Sequence, residues 1–122
     1  MIGCQHYLKY LEVESADYEE LSNCYVCKFD NISLFIIKRD SEMLQLMTTL
    51  PVQGMERSLA LDLCNQVTDN TFMVKCIASD VEHLQLRLDF LPSSRTTVDE
   101  YRTATVILLE ATENLAKMLY AD

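Results

Sequence analysis

The run Cys24-Tyr25-Val26-Cys27-Lys28-Phe29-Asp30-Asn31-Ile32-Ser33-Leu34-Phe35-Ile36-Ile37-Lys38 decides the fold. Tyr25, Cys27 and Phe29 alternate with Cys24, Val26 and Lys28, the period of two that marks a strand. Asp30-Asn31 is a two-residue turn of residue types that tolerate positive φ. Ile32 to Lys38 is rich in β-branched and aromatic residues, as a central strand requires. Arg39-Asp40-Ser41-Glu42 turns the chain again, and Met43 to Leu50 makes a third run before Pro51. Connections this short join antiparallel neighbours, because a parallel crossover needs about a dozen residues or more. The segment therefore reads as a meander.

The flanking sequence supplies the helices and two further strands. Upstream, residues 2–13 place Cys4, Tyr7, Leu8 and Leu11 on one helical face. Glu12, Glu14, Asp17, Glu19 and Glu20 follow and read as a solvated helix end and loop. Downstream, the spacing predicts a helix from Met55 to Thr68, with Met55, Leu59, Ala60, Leu63, Cys64 and Val67 on its apolar side. Leu61 interrupts the polar side of that helix. Thr71 to Ala78 carries Phe72, Val74, Cys76 and Ala78 on one face, and Leu84 to Leu91 alternates cleanly. The short connection Ser79-Asp80-Val81-Glu82-His83 makes these two strands a hairpin.

Thr97-Val98-Asp99-Glu100 fits a capping box and starts the last helix. Val98, Tyr101, Leu108, Leu115 and Leu119 form its stripe, widened by Ala104, Ile107, Ala111 and Met118 and extended by Leu109. That face is wider than one sheet needs, which predicts contact with another helix or a second chain. The whole reads as a single α+β domain over residues 1–122, an antiparallel sheet in the order α-β-β-β-α-β-β-α.

Composition narrows the function. The chain has 122 residues, 10 Lys and Arg against 19 Asp and Glu, and a net charge of −9. Nucleic acid and anionic membrane surfaces are disfavoured partners, because both are bound through clustered Lys and Arg. No apolar run approaches the length of a membrane span, and the first residues show no secretory leader, so the expected location is cytoplasmic. Five cysteines spread over predicted helices and strands read as free thiols, consistent with a reducing compartment.

No catalytic constellation emerges, and the chain is expected not to be an enzyme. With only two glycines there is no phosphate-cradling loop, and no strained Gly-x-Ser-x-Gly elbow is present. Cys24-x-x-Cys27 has redox or zinc spacing, but a strand turns its two thiols to opposite faces and no second pair of ligands follows. Neither cofactor nor metal is expected. Asn65 reads as a structural amide tying its helix to a neighbouring loop or strand.

Several segments together resemble one family. They are Tyr7-Leu8-Lys9-Tyr10-Leu11, Tyr25-Val26-Cys27-Lys28-Phe29-Asp30-Asn31, Leu44-Gln45-Leu46, Leu63-Cys64-Asn65-Gln66, Val74-Lys75-Cys76 and Leu84 through Leu91, with the final apolar helix. The pattern resembles the YbjN family of candidate bacterial sensory-transduction regulators, whose fold is similar to that of type III secretion chaperones. Asn65 matches that family's helix-end Asn. The resemblance implies a regulatory role without catalytic residues; its chaperone side implies dimerisation and capture of a partner segment.

The expected function is therefore protein contact, as a homodimer with a further protein partner. Leu61, Val106, Leu109 and Tyr120 are the candidate contact residues, since they fall outside the core stripes. An alternative is a small-ligand sensor with a pocket lined by Tyr25, Phe35 and Met47, and a third possibility is thiol redox sensing through Cys24 and Cys27.

Overall fold

The meander forms the middle of an antiparallel sheet in the computed structural model, which describes residues 3–52, 54–71, 73–78 and 82–120. Along the chain run α1 (Gly3–Val13), β1 (Tyr18–Glu20), β2 (Cys24–Phe29), β3 (Ile32–Ile37) and β4 (Leu44–Pro51). Then come α2 (Arg57–Asn70), β5 (Val74–Ala78), β6 (His83–Phe90) and α3 (Val98–Tyr120). The strands lie in the order β1-β2-β3-β4-β6-β5, each antiparallel to its neighbours. The fold is α+β. Phe72 and the Ser79-Asp80-Val81 connection lie outside the described residues.

One strand was not expected. The acidic segment read as a loop supplies β1, which pairs Tyr18, Glu19 and Glu20 with Cys27, Val26 and Tyr25. The expected order α-β-β-β-α-β-β-α is therefore corrected to one with four strands before α2. Carboxylates are tolerated there because an edge strand keeps one side in water, and charge blunts edge-to-edge pairing. Tyr18 anchors the strand, its ring edge-on to Tyr25 at 5.8 Å. The Lys38 ammonium donates to Glu20 at 2.6 Å and lies 4.9 Å from the centre of the Tyr25 ring.

Register explains the core. Leu44, Leu46, Thr48 and Leu50 of β4 stand opposite Phe90, Leu88, Leu86 and Leu84 of β6. Val74, Cys76 and Ala78 continue these rows on β5, and Ile36 continues them through Tyr25 on the other side. Side chains alternate across a strand, so all of these share one face. On it, α1 and α3 bury Tyr7, Leu11, Leu108 and Leu115, each fully removed from solvent.

Contact with α1 takes part of the wide apolar face of α3. Tyr10 stacks on Tyr101 at 5.6 Å, with Tyr7 and Phe90 each 6.0 Å from the same ring. The buried stripe of α3 is Tyr101, Ala104, Thr105, Leu108, Ala111, Thr112 and Leu115. Val98 and Met118, assigned to that stripe from spacing, are instead 37% and 52% exposed. Leu59 is likewise 50% exposed. Its helix, α2, packs on β5 at the sheet edge, where Ala60, Cys64 and Val67 suffice. β5 starts at Val74, three residues later than the spacing predicts, after Met73 takes φ 68 and breaks the extended run.

Candidate interaction surfaces

The second face of the sheet carries apolar side chains with no helix over them. Among the described residues, all three helices pack on the face just described. Val26, Phe35, Ile37 and Met47 alternate to the other side and remain partly exposed. One lateral row crosses all six strands: Glu19 beside Val26, then Phe35, Met47, Arg87 and Lys75. Carboxylate stands at one edge, apolar groups in the middle, cations at the other edge. Among the described residues none of the three charges forms an ion pair within the chain. Arg39 closes one side of this face by donating to the buried Gln45 amide oxygen at 2.6 Å.

On the helical side, α3 presents Val106 at 43% exposure and Tyr120 at 54%, with Leu109 partly exposed between them. The Tyr120 hydroxyl donates to the Pro51 carbonyl at 2.6 Å, which fixes the ring over the end of β4. There it borders a cleft of about 530 Å³ with Asn31, Ile32, Leu50, Ala116 and Lys117. Leu61, 42% exposed, is on α2 and does not share this surface. Three of the four candidates thus lie along one helix, and the fourth stands apart.

Three readings need correction. Tyr25, Phe35 and Met47 do not line one pocket: Phe35 and Met47 are paired on the open face, while Tyr25 points to the helical side. Cys24 and Cys27 cannot bridge, because residues three apart on a strand have Cα atoms roughly 10 Å apart, against a disulfide limit near 7 Å. Cys27 is buried, and burial followed by the nearby Asp17 charge pushes its thiol up. Asn65 is exposed on α2, and among the described residues its side chain makes no hydrogen bond to a neighbouring element. The amide that does bond there belongs to Asn70 and caps the Gln66 carbonyl at 2.8 Å.

The contact that spacing could not reveal joins α2 to β5. Cys64 and Cys76 are both buried with Sγ atoms 3.2 Å apart, and Thr68 Oγ1 accepts from the Cys76 amide at 3.0 Å. Burial, then the adjacent Cys64, holds the Cys76 thiol well above the ordinary range. Both thiols are buried side by side in the packing between α2 and β5. Among the described residues no group of three or more His, Cys, Asp or Glu is placed to hold a metal ion, and no helix is long and apolar enough to cross a membrane.

No known family profile matches the chain, and no curated protein does. Among solved structures it is similar to YbjN, a candidate transcription regulator from E. coli. The two superpose with a TM-score of 0.65 at 15% identity, over 92% of this chain and 93% of that one. The fold is YbjN-like.

Proposed function

We propose that the chain is a non-enzymatic, cytoplasmic regulatory or chaperone-like domain that works through protein contact as a homodimer. The observation that carries this reading is apolar surface that no described part of the chain covers, on a molecule of net charge −9. Val26, Phe35, Ile37 and Met47 lie on the open sheet face, and Val106, Met118 and Tyr120 on the outside of α3. Burying such surface is favourable by roughly 25 cal/mol per Å². Surrounding carboxylates keep the separate chain soluble. Five free thiols fit a reducing compartment. Under this reading Val106, Leu109 and Tyr120 receive the partner segment, with Leu61 as a separate contact.

Light scattering on the eluting protein over a wide range of concentration tests the homodimer, with twice the chain mass expected. A single-chain mass throughout overturns it. Affinity capture tests the partner contact: the intact protein retains the partner, and Val106→Asp loses it while still folding.

One observation favours a second reading, a small-ligand sensor. The cleft beside Tyr120, at about 530 Å³, has the size of a small-molecule site. A thermal-shift screen of metabolites separates the two, since a ligand at 100-fold over its Kd stabilises by about 2.7 kcal/mol. A shift that Tyr120→Ala abolishes supports the sensor; no shift leaves protein contact.

A further inference from the structure

The open face of the sheet has a charge pattern that selects its own occupant. Across the row Glu19, Val26, Phe35, Met47, Arg87 and Lys75 the order is acid, three apolar groups, two cations. A row of this kind is complementary to itself when reversed. We propose that the face is covered by a second copy of the same chain, packed sheet against sheet about a two-fold axis parallel to the strands and running between β3 and β4. The inference rests on the homodimer reading above and adds to it the surface and the orientation.

That axis reverses the row and leaves the strands aligned, as in stacked sheets about 10 Å apart. Glu19 then faces Lys75 of the second copy, and Lys75 faces its Glu19. Phe35 meets Met47 of the other copy, a sulfur–aromatic contact, and the apolar stem of Arg87 covers Val26. The alternative two-fold, along the row, would set Glu19 on Glu19 and Lys75 on Lys75, and like charges exclude it. A two-fold interface must be self-complementary in this sense.

The size is adequate. Six strands at ~4.8 Å spacing and six residues at ~3.4 Å give a flat footprint of about 600 Å² per copy. Two footprints reach about 1,200 Å², above the ~1,000 Å² at which an interface becomes specific, before pleating and side chains add to it. Among the described residues the carboxylate and the two cations form no ion pair, so docking breaks none of those seen there.

The test is a charge exchange at two exposed positions. Glu19→Lys and Lys75→Glu, each alone, put like charges together twice per dimer and are expected to weaken the dimer about tenfold. The double variant restores the opposite pairing and is expected to return its dissociation constant to within about threefold of the original. Sedimentation equilibrium reads the constant, and circular dichroism checks that each variant is folded. Val106→Asp, on the helical side, should leave dimerisation unchanged. A dimer indifferent to the single reversals, or not rescued by the exchange, overturns this interface but leaves the homodimer. A protein that is monomeric at every concentration overturns both.

Discussion

Two buried hydroxyl pairs tie α3 to the rest of the core, and the donor in each follows from counting hydrogens. Thr112 Oγ1 donates to the Leu108 carbonyl at 2.8 Å, which uses its single hydrogen. In the 2.7 Å contact between Thr48 and Thr112, Thr48 is therefore the donor. Thr105 is bonded in the same way to the Tyr101 carbonyl at 2.8 Å, so the Tyr7 hydroxyl donates to it at 2.6 Å. These threonines fall in the helical stripe by spacing, yet they are invisible to a search for apolar residues. They become legible only once a partner hydroxyl is placed opposite. The pairing predicts strong non-additivity. Thr112→Val strands the buried Thr48 hydroxyl and should cost about 1–3 kcal/mol. Thr48→Val combined with Thr112→Val replaces both hydroxyls by methyls and should cost clearly less than the two single changes summed. Urea denaturation of the four proteins measures the coupling. Simple additivity would mean that the hydroxyls do not act as a pair.

Elements show where sequence was readable and where it was not. The start of α3 was readable because its cap is local: the Thr97 amide donates to Glu100 Oε2 and the Glu100 amide to Thr97 Oγ1, both at 3.2 Å. The alternation of β6 was readable for the same reason, with Leu84, Leu86 and Leu88 all fully buried. β1 was not, since three residues with two carboxylates carry no periodic signal and are held by pairing alone. The open sheet face was half visible. Leu34 to Ile37 is an unbroken apolar run on a strand, which means that both of its faces are apolar. The docking of α1 was hidden in a single glycine. The Gly3 amide donates to the Ser41 carbonyl at 3.0 Å, and a Cβ at that position would strike the Glu42 carbonyl oxygen and lie 2.9 Å from the Leu44 nitrogen. In an isolated helix, Gly→Ala stabilises by about 1 kcal/mol. Here the sign should invert, because both obstacles are backbone atoms. Gly3→Ala is expected to lose about 1–3 kcal/mol of stability in urea denaturation. An unchanged or raised midpoint would mean that α1 can shift away from β4 at no cost.

At the scale of the whole molecule, the buried titratable groups among the described residues are thiols and phenols, and they make stability depend on pH in the alkaline range. Burial raises Tyr7, Tyr10 and Tyr101 above their ordinary value of 10.0, and Cys27 and Cys76 above 9.0. Nearby carboxylates add to the rise for Tyr10, Tyr101 and Cys27, through Glu14, Glu100 and Asp17. Unfolding returns these groups to water, where they release protons at lower pH than in the native chain. Above about pH 9 the folded state therefore binds more protons than the unfolded state, and stability falls as pH rises. Their contribution is complete below the unfolded values and disappears as pH climbs through the native ones. Each group adds up to ~1.4 kcal/mol per pH unit within its own window. The thiols act first, because their unfolded value is the lower one. Net charge works in the same direction, since a chain already at −9 gains further negative charge and self-repulsion. The urea midpoint under reducing conditions should therefore fall between about pH 8 and about pH 10.5, most steeply above about pH 9.5 where phenols join the thiols. Cys76→Ala and Tyr7→Phe should each flatten part of that decline, whatever they do to stability at neutral pH. A midpoint that holds constant across this range would mean that these side chains meet water as freely in the folded chain as in the unfolded one.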